Sequence, residues 1–163
     1  MATTTDLLVG FATLLHDAGV GHWAPTGVFP PGATAITTKV MPHAPARAIV
    51  LTAYTVSDTP EGHSVQGLQV RTRADGLPTD VDDLDDAIYQ VLHSAQSLTL
   101  PGLGDSPPMG EGTPLGEGTT LAAVKVKKIW RQSHASLGRD DNDRWLATAN
   151  YYLLIDKPTP HTR

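Results

Sequence analysis

The sequence contains no cysteine. That removes disulfides, thiol nucleophiles and zinc sites of the cysteine-rich kind, and it leaves the chain compatible with a reducing compartment. No lysine or arginine occurs before Lys39, so the basic head of a signal peptide is not expected. No apolar run approaches the ~18 residues of a membrane-spanning helix, and no membrane partner is expected. Charged residues are scarce at 18%, so Thr, Ser, Gln and Gly must supply much of the surface. The formal net charge of -5 argues against a protein that coats a nucleic-acid duplex, because such affinity comes from neutralising phosphates. No sequence-specific nucleic-acid partner is expected.

What is present suits one soluble domain spanning residues 1–163. At 163 residues and 40% hydrophobic content, the chain can bury about 70% of its unfolded surface without staples. The 15 glycines and 13 prolines signal many turns.

Leu7, Leu8, Phe11, Leu14, Leu15 and Ala18 recur at helical spacing, with Thr4 or Thr5 as N-cap, Asp6 in the first turn and Gly19 after the last. A helix is predicted over about 5–18. Residues 24–34 are rich in Gly and Pro and read as a loop, with a short strand over Ala35–Met41. Ala48–Val56 is nearly continuous in β-branched and apolar residues, which reads as a strand covered on both faces. Ser64–Arg73 alternates, with Leu68, Val70 and Thr72 on one side and Gln69, Arg71 and Arg73 on the other. The short turn between these two strands predicts an antiparallel hairpin. A second helix, capped by Thr79, carries the stripe Val81, Leu84, Ile88, Val91, Leu92 and Ala95, while Asp80, Asp82, Asp83, Asp85 and Asp86 crowd its first turns.

From Pro101 to Gly118, ten of 18 residues are Gly or Pro. Such a loop inside a compact domain is either functional or disordered. Leu121–Gln132 and Arg144–Asp156 read as long strands joined by Ser133–Asp143. At ~3.3 Å per residue they span about 40 Å, so this hairpin must cross the molecule, bend at a bulge, or project. The order of elements predicts an α+β fold, a mainly antiparallel mixed sheet with two helices packed on one face.

A search for chemistry returns little. Gly62-His63-Ser64-Val65-Gln66 lacks the last glycine of a nucleophile elbow and precedes a strand, so it reads as a hairpin turn. The Asp80–Asp86 run lies on a helix start, and helical spacing leaves it pairs (Asp82 with Asp85 or Asp86) rather than a calcium cage. Arg139–Arg144 has the Asp and Asn content of a hairpin tip. His16, His22, His43, His63, His93, His134 and His161 form no paired ligand spacing. The Gly-rich stretch carries no P-loop lysine. Trp23, Trp130 and Trp145 read as packing residues. No catalytic residue, cofactor or metal is assigned.

Charge segregation is what is left. Gln69, Arg71 and Arg73 share one polar strand face, Lys125, Lys127 and Arg131 another, and the second helix is acidic. Complementary patches steer association and select register, and different patches on two sides of a molecule make head-to-tail contacts that close into rings.

The stretch Ile49–Val56 with Ser57-Asp58, then Leu68-Gln69-Val70-Arg71-Thr72-Arg73-Ala74, then the Asp-rich helix through Leu84, Ile88 and Leu92, resembles the tail terminator family of long-tailed bacteriophages, whose members are often labelled minor capsid or head–tail joining proteins. Leu137-Gly138-Arg139-Asp140, Arg144 and Ala149-Asn150-Tyr151-Tyr152 are similar to the same group in actinobacterial phages. The resemblance covers about residues 5–156 and leaves out 101–118. It implies a structural virion protein, assembled in the bacterial host cytoplasm as a homohexameric ring at the head-proximal end of the tail. There it would cap the major tail tube protein and dock the head connector or completion protein, with no catalysis and no cofactor. The subunit-interface candidates are Arg71, Arg73, Asp82, Asp83, Asp86, Lys125 and Lys127, with Arg71 and Arg73 expected to meet the Asp82–Asp86 region of a neighbour. The alternatives are a neck or head-closure connector, a small metal-dependent hydrolase using Asp82, Asp86 and a histidine, and a ligand-binding module with the Gly/Pro loop as a lid.

Overall fold

A computed structural model describes residues 3–100, 124–158 and 160–161. The Gly/Pro-rich loop at 101–118 lies outside them. Helix α1 (Thr4–Asp17) starts one residue earlier than the spacing predicts, because Thr3 is the cap. The Thr3 hydroxyl accepts from Asp6 N–H at 3.1 Å while the Asp6 carboxylate accepts from Thr3 N–H at 2.6 Å, a reciprocal pair that satisfies two orphan donors. Its far end closes at Gly19, φ +76°, with Gly19 N–H donating to His16 O and Val20 N–H to Leu15 O.

Strands β1 (His22–Trp23) and β2 (Ala35–Thr38) follow, then β3 (Ala48–Asp58) and β4 (His63–Ala74). The predicted 35–41 strand ends at Thr38 because Lys39 turns into the left-handed region, φ 66°. Helix α2 (Pro78–Leu92) begins with Pro78 in its first turn rather than at a Thr79 cap. Leu77 is the cap residue, and its N–H donates to the Asp80 carboxylate at 3.0 Å. The helix also stops short of Ala95, since His93 is extended and Ser94 is left-handed. The freed residues form β5 (Gln96–Leu100), which the stripe had concealed. Strands β6 (Val124–Arg139) and β7 (Trp145–Asp156) complete the sheet; β6 continues through the stretch expected to be a linker, leaving Asp140–Arg144 as the turn.

The seven strands lie in the order β1-β2-β3-β4-β7-β6-β5, parallel from β1 to β3 and antiparallel elsewhere. This is the α+β arrangement expected, with more sheet than helix. One face of the sheet carries Ile49 and Leu51 of β3, Leu68 and Val70 of β4, Ala149, Tyr151 and Leu153 of β7, and Ile129 of β6. Leu7, Leu8, Phe11 and Leu15 of α1 and Leu84, Ile88 and Leu92 of α2 close over that face in a single core. Each fully buried side chain of this size contributes about 1.5–3 kcal/mol relative to exposure. The long β6–β7 hairpin answers its length problem with register shifts at Val126/Lys128, Arg131/Ser133 and Ser136/Gly138, and extra residues of this kind bend and twist a strand pair.

Candidate functional site

The sequence-derived interface residues fall in four separate places. Arg73, on the sheet face away from the helices, is only 3% exposed. Its Nε donates to Ala46 O at 2.8 Å, and its Nη2 donates to Pro45 O at 2.8 Å and His43 O at 3.5 Å. Arg144 donates to the same His43 O at 3.0 Å. The two guanidiniums thus hold residues 43–46 against the sheet. Burial, with Arg144 adding repulsion, lowers the Arg73 pKa against the opposing pull of Asp140. The expectation that Arg73 meets a neighbouring subunit finds little surface to act through: the side chain is buried, and its Nε and Nη2 donors bond its own chain. Strand alternation marked it as polar but could not reveal that the 43–46 segment folds over it.

Arg71, two residues earlier on the same face, is half-buried, opposite Val50 and Thr148, and forms no ion pair with any described residue.

Lys125 and Lys127 are exposed at the other end of the sheet. Lys127 Nζ meets Asp156 Oδ1 at 2.7 Å, and His63 Nδ1 reaches the same oxygen at 2.8 Å. Those two contacts hold the Asp156 carboxyl below the usual carboxylate range. Lys125, Lys127 and Asp156, with Ser97, Leu98, Thr99 and Val126, line an open cleft of about 300 Å³. Arg71 is level with Thr148 of β7, and Lys127 sits at the bulge opposite Leu154 and Ile155, so about 21 Å separates them along the sheet. The strand faces therefore do not merge into one basic patch. Arg131 leaves the lysines altogether, because the shift at Val126/Lys128 reverses the alternation and puts it level with Tyr151 on the helix-covered face.

There Arg131 meets α2. Asp85 is 1% exposed, with Arg131 Nη1 and His134 Nε2 each 3.2 Å from its Oδ2. Burial pushes the Asp85 carboxyl up, opposed by His134 and Arg131 and reinforced by Asp86 and Asp82. The Arg131 guanidinium also lies 4.2 Å from the Tyr89 ring, and Tyr89 stacks on His93 at 4.5 Å. The His93 Nδ1 accepts from Arg131 N–H at 3.1 Å. Of the helix acids, Asp85 is thus an internal tie to β6, whereas Asp82, Asp83 and Asp86 remain exposed on the solvent side.

The sheet face opposite the helices carries a row of aromatic side chains. Tyr54 lies across Gly67, where any Cβ would collide with its ring, and its hydroxyl donates to Asn150 Oδ1 at 3.3 Å. Tyr152 meets Trp130 edge-on at 6.0 Å, with the Lys128 ammonium 5.7 Å from the Trp130 ring.

This fold resembles that of a chain in a structure described as the virion of a native gene transfer agent particle. The TM-score is 0.57 over 92% of this chain and 94% of that one, at 14% identity. At that identity the likeness is one of fold. No protein-family model matches the sequence, and no curated protein matches it.

The other chemistry-bearing residues have structural partners. Ser64 is buried within β4 and donates to Asp58 at 2.5 Å, and Gln66 donates to its hydroxyl. Asp140 accepts from Asn142 N–H, Arg144 N–H and Arg144 Nε at 2.8–3.0 Å, which closes the β6–β7 turn. His16 Nδ1 accepts from Trp23 N–H at 3.0 Å, fixing β1 to α1. Among the described residues no three His, Asp or Glu side chains are placed to hold a metal ion.

Proposed function

We propose that this protein is a structural component of a phage-like virion and, within it, the tail terminator. In this reading it forms a ring at the head-proximal end of the tail, stops growth of the tube and gives the head connector a surface to dock on. The observation that carries the reading is the correspondence of fold with a virion chain across 92% of this chain and 94% of that one. A likeness of that extent involves the whole domain, not one recurrent motif.

The surface is consistent with a protein that acts by contact. Asp82, Asp83 and Asp86 stand on α2, which covers one face of the sheet, while Arg71 and Lys128 stand on the opposite face. Opposite signs on opposite faces suit two different partners, the tube on one side and the connector on the other. No step of this function needs a catalytic group or a cofactor.

The test is addition of the purified protein to tail tubes growing from their subunits, followed by electron microscopy. The reading expects binding at one tube end only and arrest of elongation at that end. Unchanged elongation with bare ends overturns it, and binding to the connector alone assigns the chain to the neck instead.

A further inference from the structure

The two long edges of the sheet are each covered over half their length. Strand β2 pairs with β3 only from Ala48 to Leu51, and β5 pairs with β6 only from Val124 to Lys128. Among the described residues, no strand pairs with the outer side of β3 from Thr52 to Asp58 or of β6 from Gln132 to Arg139. These are seven and eight residues of extended backbone. Tyr54, Val56 and Leu137 on them are 39%, 41% and 49% exposed.

A lone domain guards such edges with lysines, prolines, bulges or inward charges, because a bare edge is a template for another strand. Each free half here has a bulge, at Thr55/Ser57 and at Ser136/Gly138, which a pairing strand must follow. Neither free half contains Lys or Pro. Thr52–Asp58 carries one acid, Asp58, and Gln132–Arg139 carries Arg139 and His134, the histidine turned toward Asp85, so like charges do not meet. The two edges also have compatible polarity. β3 runs antiparallel to β4, β4 to β7 and β7 to β6, so β3 and β6 run in opposite directions.

We propose that copies of this chain join edge to edge, the free half of β3 in one copy pairing antiparallel with the free half of β6 in the next. The proposal rests on the ring-forming reading above and supplies its subunit contact.

The offset between the edges supports closure. Thr55, at the middle of one free half, is level with Gln66, Leu153 and Ile129; Ser136, at the middle of the other, is level with Ala147, Thr72 and Ile49. The centres are therefore six residues apart along β3, about 20 Å at ~3.3 Å per residue. Crossing β3, β4, β7 and β6 at ~4.8 Å per strand covers about 19 Å. Repeating that step inclines the strands by about 45° to the ring axis, close to the tilt at which sheets close into barrels, whatever the number of copies. In this arrangement β2 and β5 act as stops that leave complementary halves bare. The helices lie on one side of the continuous sheet, and the Tyr54, Tyr152 and Trp130 face lies on the other.

Two variants, Val56→Lys and Leu137→Lys, each place a charged side chain on one edge and leave the core untouched. Each is expected to weaken self-association about tenfold or more by light scattering, with the urea unfolding midpoint of the monomer unchanged. Mixing the two restores one good edge on each partner, so the mixture forms heterodimers and no larger species. Rings that persist in either variant, or a mixture that does not dimerise, overturn the edge pairing while leaving the ring itself standing. A wild-type protein that stays monomeric at every concentration overturns both.

Discussion

From Val124 to Ile129, β6 lies between β5 and β7, and Val124, Val126 and Ile129 are fully buried beneath the helices. From Gln132 to Arg139 the same strand has β7 as its only strand partner among the described residues, with one side-chain tie from His134 to Asp85 of α2, and six consecutive residues, Gln132–Leu137, are exposed. The first half belongs to the core and the second to the surface, although no break in secondary structure divides them. Between them stands Arg131, tied to Asp85, Tyr89 and His93. The difference separates two properties: burial that stabilises the protomer in the half under the helices, and exposed edge, which the proposed pairing uses, in the half beyond them.

The sharpest separation comes from one substitution in each half. Ile129→Ala is expected to cost about 2–5 kcal/mol in urea unfolding, because it opens a cavity in a closed core. Leu137→Ala is expected to stay within about 0.5 kcal/mol for the monomer. Equal losses at the two sites would break the division.

The same contrast exists on β4, between residues two apart. Arg73→Ala removes three bonds to main-chain carbonyls and is expected to cost about 3 kcal/mol. Lysine there is expected to restore little, since one ammonium cannot replace the planar fork. Arg71→Ala is expected to leave the unfolding midpoint unchanged. A smaller loss, about 1 kcal/mol, is expected for Thr3→Ala from the cap of α1, read by thermal unfolding.

Acidity separates the regions by sign. Asp85, raised by burial, contributes stability that is full below its unfolded pKa of about 3.9 and is lost as pH rises through its higher native value. Asp156, lowered by Lys127 and His63, contributes stability that is present above that unfolded value and is lost as pH falls. Above about pH 4, where unfolded Asp ionises, the urea midpoint should therefore change with pH more favourably in Asp85→Asn than in the wild type, because the loss contributed by Asp85 is gone. An identical pH slope in the two proteins would contradict the placement of Asp85.

Much of this fold is legible in the sequence because its main elements carry strong local patterns. The α1 stripe and the alternation of β4 each state their element and its core-facing side, whereas the apolar run of β3 states its strand but not its cover: the expectation of burial on both faces holds for Ala48–Leu51 and fails from Tyr54 onward, where the strand is exposed. β5 was hidden because Ala95 prolongs the α2 stripe, and only the left-handed turn at Ser94 releases it. Bulges erase face assignments made by counting, as Arg131 shows. The Asp cluster signalled an acidic face, yet singling out Asp85 required knowing that β6 passes over it. The free edges were not legible at all, since a strand's partners are fixed by residues far away in the chain.

The central claim is that this molecule works by joining copies of itself through exposed structure. Electron microscopy of the purified protein over a range of concentrations tests it most directly. Closed rings of uniform diameter that become more abundant as concentration rises are predicted; compact single protomers at every concentration would contradict the account.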